Sequence, residues 1–234
     1  MRACYTAGFV GGTEDGATRL VIAIDGPSGA GKGTVARAVA SRLGYRHVDT
    51  GAMYRAVAWL AMERGLSLDD QPALSDLASH ASLELADGLV RIDGHDVTQA
   101  IRTPTIDRGA AAVARIPGVR RALVERQREL GATGGIVMEG RDIGTVVFPA
   151  ADVKIYLDAD PAERARRRAA DPAHAGGTTA LPDVATAMAD RDRLDTTRTT
   201  SPLIIAPDAV RVDTTALAVE EVVDRVLNVI KTHR

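Results

Sequence analysis

The chain has 234 residues, 45% of them hydrophobic, which is enough for one sizeable core. Its 29 basic and 31 acidic residues leave a formal charge of −2, which excludes a global attraction to nucleic acid or anionic lipid. The single cysteine, Cys4, excludes an intrachain disulfide framework and argues against cysteine-held zinc, and no apolar run reaches the ~18 residues of a membrane span.

Residues 1–18 read as a flexible extension without the basic-then-apolar pattern of an export signal, so a cytoplasmic location is expected. The β-branched run Leu20 to Ile24 predicts a strand, Gly26 to Gly31 a glycine-rich loop, and Gly33 to Leu43 a helix. Tyr45 to Val48 predicts a second strand, and Ala52 to Glu63 a helix with Tyr54 and Trp59 available for packing. This rhythm is α/β. It is then interrupted. A helix over 71–80 precedes two short strands, Ser82 to Ala86 and Leu89 to Asp93, joined across Asp87-Gly88, a hairpin signal. We take 68–104 as a small insertion.

Helices are expected from Thr105 to Arg115 and from Val119 to Leu130, separated at Pro117. Strands follow at Ile136 to Met138 and Val153 to Leu157, then an arginine-rich helix from Asp160-Pro161 to Ala170. The stretch 171–179 is polar and reads as flexible. A helix from Asp183 to Leu194, a strand at Val210 to Val212 and a helix from Ala218 to Lys231 complete the chain.

The strongest local signal is Gly26-Pro27-Ser28-Gly29-Ala30-Gly31-Lys32-Gly33-Thr34, which has P-loop spacing between a strand and a helix. Glycines let backbone N–H groups converge on phosphate, and the helix adds the positive end of its dipole. Lys32 supplies a mobile charge to the β- and γ-phosphates. The residue after the lysine is Gly33, where many such loops place a magnesium-ligating Ser or Thr. Thr34 comes one residue late and is suited to a phosphate contact. Magnesium is therefore expected mainly through water and substrate phosphates.

The loop implies a bound nucleotide but not its use. Three further clusters bear on an acceptor. Asp49-Thr50-Gly51 closes the second strand with Tyr54 and Arg55 one turn beyond, either an anion site or a plain helix cap. Glu139-Gly140-Arg141-Asp142 ends a third strand, the place where open α/β sheets bind ligands, although a structural Arg–Asp pair has the same appearance. Arg191, Asp195 and Arg198 fall on one helical face, which serves either a phosphoryl centre or a solvated ion-pair surface. Arg164, Arg166, Arg167 and Arg168 cannot all face one ligand. A lid over 164–190 that excludes water from ATP, with Arg164 and Arg168 as contacts, competes with a bland surface or an RNA-binding role. Only 3% of the chain is aromatic, which weakens the RNA reading.

Six stretches carry a family resemblance: IAIDGPSGAGKGTVARAVASRLG (22–44), HVDTGAMYRAVA (47–58), PGVRRALVERQR (117–128), MEGRDIGTVVFPAADVKIYLDA (138–159), RDRLDTTRTTSPL (191–203) and VDTTALAVEEVV (212–223). Together they resemble the bacterial cytidylate kinases, P-loop nucleoside monophosphate kinases. The resemblance implies a three-layer fold with a central, mostly parallel sheet, a lid and an acceptor-side insertion. It implies transfer from ATP, with Mg2+, to CMP or dCMP. The acceptor would be held by Thr50, Tyr54, Arg55, Arg120, Arg141, Asp142, Arg191, Asp195 and Arg198. Asp142 and Arg120 would read the base, and Asp195 would contact the pentose. Lys32, Arg141, Arg191 and Arg198 would act on the transferring group. A serine that such enzymes often carry before the position of Pro117 is Ala111 here, one hydroxyl fewer at the base. A monomer is the simplest state, with no nucleic-acid or membrane partner expected. A broader UMP/CMP kinase and a nucleotide-dependent switch are the competing readings.

Overall fold

The computed structural model describes residues 19–86, 88–171 and 180–233. The expected extension over 1–18, the hairpin residue Asp87 and most of the polar stretch 171–179 lie outside the described residues.

Five strands form one parallel sheet: β1 (Val21–Asp25), β2 (Arg46–Asp49), β6 (Ile136–Gly140), β7 (Val153–Asp158) and β8 (Val210–Asp213), in the order β2-β6-β1-β7-β8. Each neighbouring pair is parallel. Both faces are covered by helices, so the central strands are apolar throughout rather than alternating. Alternation instead sorts side chains between two cores. Ile22 and Ile24 of β1 pack with Val35 and Val39 of α1 (Lys32–Leu43) and with Val223, Val226 and Ile230 of α8 (Val219–Lys231). Ala23, between them, faces Val48, Met138 and Ile143 on the opposite side.

The chain leaves β2 into α2 (Thr50–Glu63) and α3 (Gln71–His80), and then builds a separate antiparallel sheet. Its strands are β3 (Leu83–Ala86), β4 (Leu89–Ile92) and β5 (His95–Asp96). Helices α4 (Pro104–Val113) and α5 (Pro117–Gly131) return to the main sheet. Met53, Leu60, Leu74, Ile92, Ile101 and Leu123 bind these elements into a third core. Pro117 separates α4 from α5 by starting the second helix, a first-turn position where its missing N–H costs nothing.

After β6 the backbone forms a π-helical turn, Ile143–Val147, which the sequence pattern did not suggest. Beyond β7, α6 (Pro161–Ala169) is capped by Asp160, whose carboxylate accepts from the N–H groups of Ala162 and Glu163. The helix α7 (Leu181–Thr197) continues through Thr196 and Thr197, whose hydroxyls donate to carbonyls of the preceding turn. Among the described residues no helix is long and apolar enough to cross a membrane.

The strand order fixes the site. Strand β6 lies between β1 and β2, and the crossovers from β1 and from β6 run in opposite directions along the sheet. Such a reversal opens a crevice at the carboxyl ends of the strands. The loop after β1, the start of α2 after β2, and the turn after β6 all meet there.

Candidate functional site

A cavity of about 780 Å³ occupies this crevice. One wall is the phosphate loop, residues Ser28 to Thr34. Gly26 and Pro27, expected in the same loop, do not line the cavity. Gly26 has φ +149°, and a Cβ there would stand 2.0 Å from the carbonyl oxygen of Leu157, so no other residue fits between the strands. Gly31 has φ +88° just before the first turn of α1, a left-handed conformation that suits glycine, and it lines the cavity at the helix N-terminus. Lys32 Nζ donates to the Pro27 carbonyl at 2.7 Å, folding the side chain back across the loop. Burial, helped by the nearby Arg141, pulls its pKa down to about 7.

The opposite wall gathers all nine acceptor-side residues expected from the resemblance: Thr50, Tyr54, Arg55, Arg120, Arg141, Asp142, Arg191, Asp195 and Arg198. They come from α2, α5, the turn after β6, and α7, segments up to 148 positions apart. Asp49 does cap α2, accepting from Ala52 N–H, and it also pairs with Arg55 at 2.7 Å. The cap and the site are thus one structure. Thr50 donates to the Glu139 carbonyl at 2.7 Å, locking the start of α2 to the end of β6.

Asp142 is buried between Arg120 and Arg198. Arg120 donates to one oxygen, and Arg198 lies 3.5 Å from the other. Burial pushes the Asp142 carboxyl up in spite of both guanidinium groups. Arg120 also sits 5.7 Å from the centre of the Tyr54 ring, a cation–π contact, and donates to the Ser201 hydroxyl. Asp195 accepts from Arg141 at 2.8 Å. Burial alone would raise its pKa, but Arg141, Arg191 and Arg198 win and hold it below the usual carboxylate range. The Arg–Asp contacts considered as structural pairs are therefore present, and they line the cavity.

The positive charge here exceeds what the acids take up. Arg55 Nε and Arg191 Nε are buried N–H donors without a hydrogen-bond partner among the described residues. An anion in the cavity would satisfy them. Burial and the neighbouring Arg141 both push the Arg191 guanidinium down, the signature of crowded cations.

The arginine run divides as the spacing required. Arg168 reaches across to Asp107 of α4. Arg166 pairs with Glu163 at the surface. Arg167 donates to Thr214 and so holds α6 against the loop before α8. Arg164 does not line the cavity. It is buried, donating to the carbonyls of Ser28 and Ala159 and to Asp192, so it braces the phosphate loop from behind. Expected as an ATP contact, it bonds here to the phosphate loop, to Ala159 just ahead of α6 and to α7. Ala111 presents its methyl group to the cavity, four residues beyond Asp107 on α4.

Three acids matter to which the sequence assigned no role of their own: Glu139, named only as part of its cluster, Asp107 and Asp25. Glu139 sits near the end of β6, and its carboxylate lies 3.0 Å from His47 Nε2, accepting from the tautomer that carries its proton there. A Cβ on Gly33 would stand 3.2 Å from Glu139 Oε1, a close approach between the loop and this carboxylate. Asp107 serves Arg168 and also faces Arg191 at 3.6 Å. An acid in the first turn of a helix reads as a dipole complement, so local spacing holds no sign of this role. Asp25 closes β1 and binds the turn after β6. A charge at the end of a fully apolar strand was the one available signal for it.

Among the described residues no group of three or more His, Cys, Asp or Glu side chains could hold a metal by itself. Glu139, beside the loop, fits a magnesium ion that keeps most of its water and rests on substrate phosphates.

The family profile described as Cytidylate kinase matches residues 22–232. A cytidylate kinase of Solibacter usitatus is 50% identical over 221 residues, spanning 92% of this chain and 93% of the relative. A cytidylate kinase of Pelotomaculum thermopropionicum is 50% identical over 211 residues, 88% of this chain and 93% of the relative. Among solved structures, an uncharacterized protein from Eubacterium ventriosum superposes with a TM-score of 0.50 at 10% identity, over 92% of this chain and 99% of that one, a likeness of fold alone.

Proposed function

The chain belongs to the cytidylate kinase family, and on that premise we propose that it transfers the γ-phosphoryl group of ATP to CMP or dCMP, giving ADP and CDP or dCDP. Family membership makes it a phosphotransferase with a nucleotide substrate. The choice of cytosine is the finer reading. The observation that carries it is the buried Asp142, held by Arg120 and Arg198 beside Tyr54 at the far end of the cavity. A carboxylate accepts from the exocyclic amine of cytosine, and the same atom of uracil is an acceptor that it would repel. Arg120 can donate to the ring acceptors beside that amine.

The acceptor's phosphate oxygen is already anionic, so no general base is needed. Catalysis then consists of in-line placement and charge neutralisation. Arg55 and Arg191, with N–H groups to spare, hold the acceptor phosphate. Lys32 leaves the Pro27 carbonyl for the β- and γ-phosphates. Arg141 and Arg198 stabilise charge on the transferring group, and Asp195, fixed by Arg141, receives the pentose hydroxyls. Magnesium, when bound, neutralises the donor phosphates, and Glu139 is the residue to orient its water. We read 68–104 as the acceptor-side insertion and 164–190 as the lid that excludes water.

A coupled assay of ADP release over CMP, dCMP, UMP, AMP and shikimate tests the assignment. CMP and dCMP are expected to be the fastest acceptors by kcat/KM. A faster turnover of any other member of the panel would overturn it.

A further inference from the structure

The carboxylate of Asp25 is buried at the end of β1, 6% exposed, behind the cavity-lining residues, and no step of the proposed chemistry uses it. Its Oδ1 accepts from Ile143 N–H at 2.9 Å and its Oδ2 from Gly144 N–H at 2.8 Å, across 118 and 119 positions of chain. These two amides open the π-helical turn, and the first amides of any helical turn lack a partner within it. The residue placed to cap them is Asp142, which immediately precedes the turn. Aspartate is among the best capping residues, and the usual outcome is a carboxylate turned back onto its own helix. Here the Asp142 side chain makes no capping bond. It points instead to Arg120 and Arg198.

We propose that Asp25 is a positioning residue: by capping the turn from the neighbouring strand, it releases Asp142 to face the acceptor and fixes Arg141 and Asp142 against the phosphate loop. The geometry leaves little slack. Asp25 pairs with Gly140 across β1 and β6, and Gly26 of the phosphate loop follows it directly. A Cβ on Gly144 would stand 3.1 Å from Lys154 Cδ and 3.5 Å from Asp25 Oδ2, so the turn sits close against the carboxylate. One side chain therefore sets the distance between the donor-side loop and the acceptor-side turn. This inference rests on the reading of Asp142 as the base-reading residue.

Asp25→Asn keeps the shape but turns one acceptor into a donor facing an N–H group. One amide loses its cap, and Asp142 becomes the nearest replacement. The expected result is a drop in kcat/KM for the preferred acceptor of roughly 10- to 100-fold, the scale of an ångström-sized misplacement. The preference among CMP, UMP and AMP should narrow, while the dissociation constant of ATP, titrated without acceptor, changes less than threefold. Asp25→Ala, which removes both acceptors, should fall below Asp25→Asn, which keeps one. An unchanged acceptor preference overturns the proposal, as does an equal loss of ATP and acceptor binding. A chain that folds with neither replacement, judged by circular dichroism, marks Asp25 as structural only and also overturns it. If wild type prefers a nucleotide other than CMP or dCMP, the cytosine reading fails, and the Asp25 variants are judged on the preference that wild type does have.

Discussion

Lys32 is folded back onto its own loop, with a pKa pulled down to about 7 by burial and by Arg141. Half of the free enzyme near neutral pH then carries this lysine uncharged. A bound triphosphate adds negative charge beside it and raises its pKa toward the ordinary lysine value. Nucleotide binding at pH 7 to 8 must therefore take up a proton. Calorimetric titration of ATP in two buffers of different ionisation enthalpy should show an uptake of about half a proton at pH 7, rising toward one at pH 8. The uptake should vanish in Lys32→Met. Equal heats in the two buffers would mean that the lysine is already charged. The neighbouring Gly33 belongs to the same scale. Its lack of a side chain leaves room for the Glu139 carboxylate, which a Cβ would meet at 3.2 Å.

Helix α4 touches both halves of the cavity. Its Asp107 engages Arg168 of α6 and faces Arg191 of α7, and Ala111 lines the cavity one turn later. Both arginines line the cavity, and Arg191 is one of the two proposed to hold the acceptor phosphate. Asp107 is then an internal competitor for them. A partly exposed ion pair of this kind contributes about 1 kcal/mol at most. Asp107→Asn should accordingly tighten the binding of the acceptor nucleotide by about 2- to 5-fold in a direct titration. Weaker binding would mean instead that Asp107 holds the arginines in place. The insertion elements were readable from local pattern, because the alternation around Asp87-Gly88 and the helical period over 71–80 are short-range signals. The π-helical turn was not, because its two capping bonds come from a strand more than a hundred residues earlier.

The molecule as a whole carries two buried groups that prefer to be neutral. Burial raises Asp25 to about 6, and the two backbone bonds offset only part of that. Its folded pKa is higher than its unfolded one. Its contribution to stability is therefore fully present below pH 3.8 and is lost as pH rises through 6. Lys32, lowered to about 7, has the opposite dependence, with its contribution lost as pH falls from 10.5 toward 7. Removing the Asp25 charge isolates the first effect. The stability of wild type relative to Asp25→Asn should fall by about 2 kcal/mol between pH 4 and pH 6.5 and then level off. Urea titrations across that range would measure it, and a difference independent of pH would remove the charge of Asp25 from the account.

The sequence by itself determined the chemistry of each site residue, the alternation of strands and helices, and the loop that binds phosphate. These are local properties: a period, a turn residue, a motif read within ten positions. It also determined the family, because the blocks at 22–44, 47–58, 138–159 and 191–203 act together. Only the tertiary structure decided which charges meet. Strand β6 enters between β1 and β2, and that order brings Asp25 to Ile143, Asp107 to Arg168 and Arg164 to the back of the phosphate loop. Arg164 and Arg168 lie four residues apart on one helix and reach different elements. No spacing rule separates a loop brace from a cavity cation. The difference lies in what the fold packs against each one.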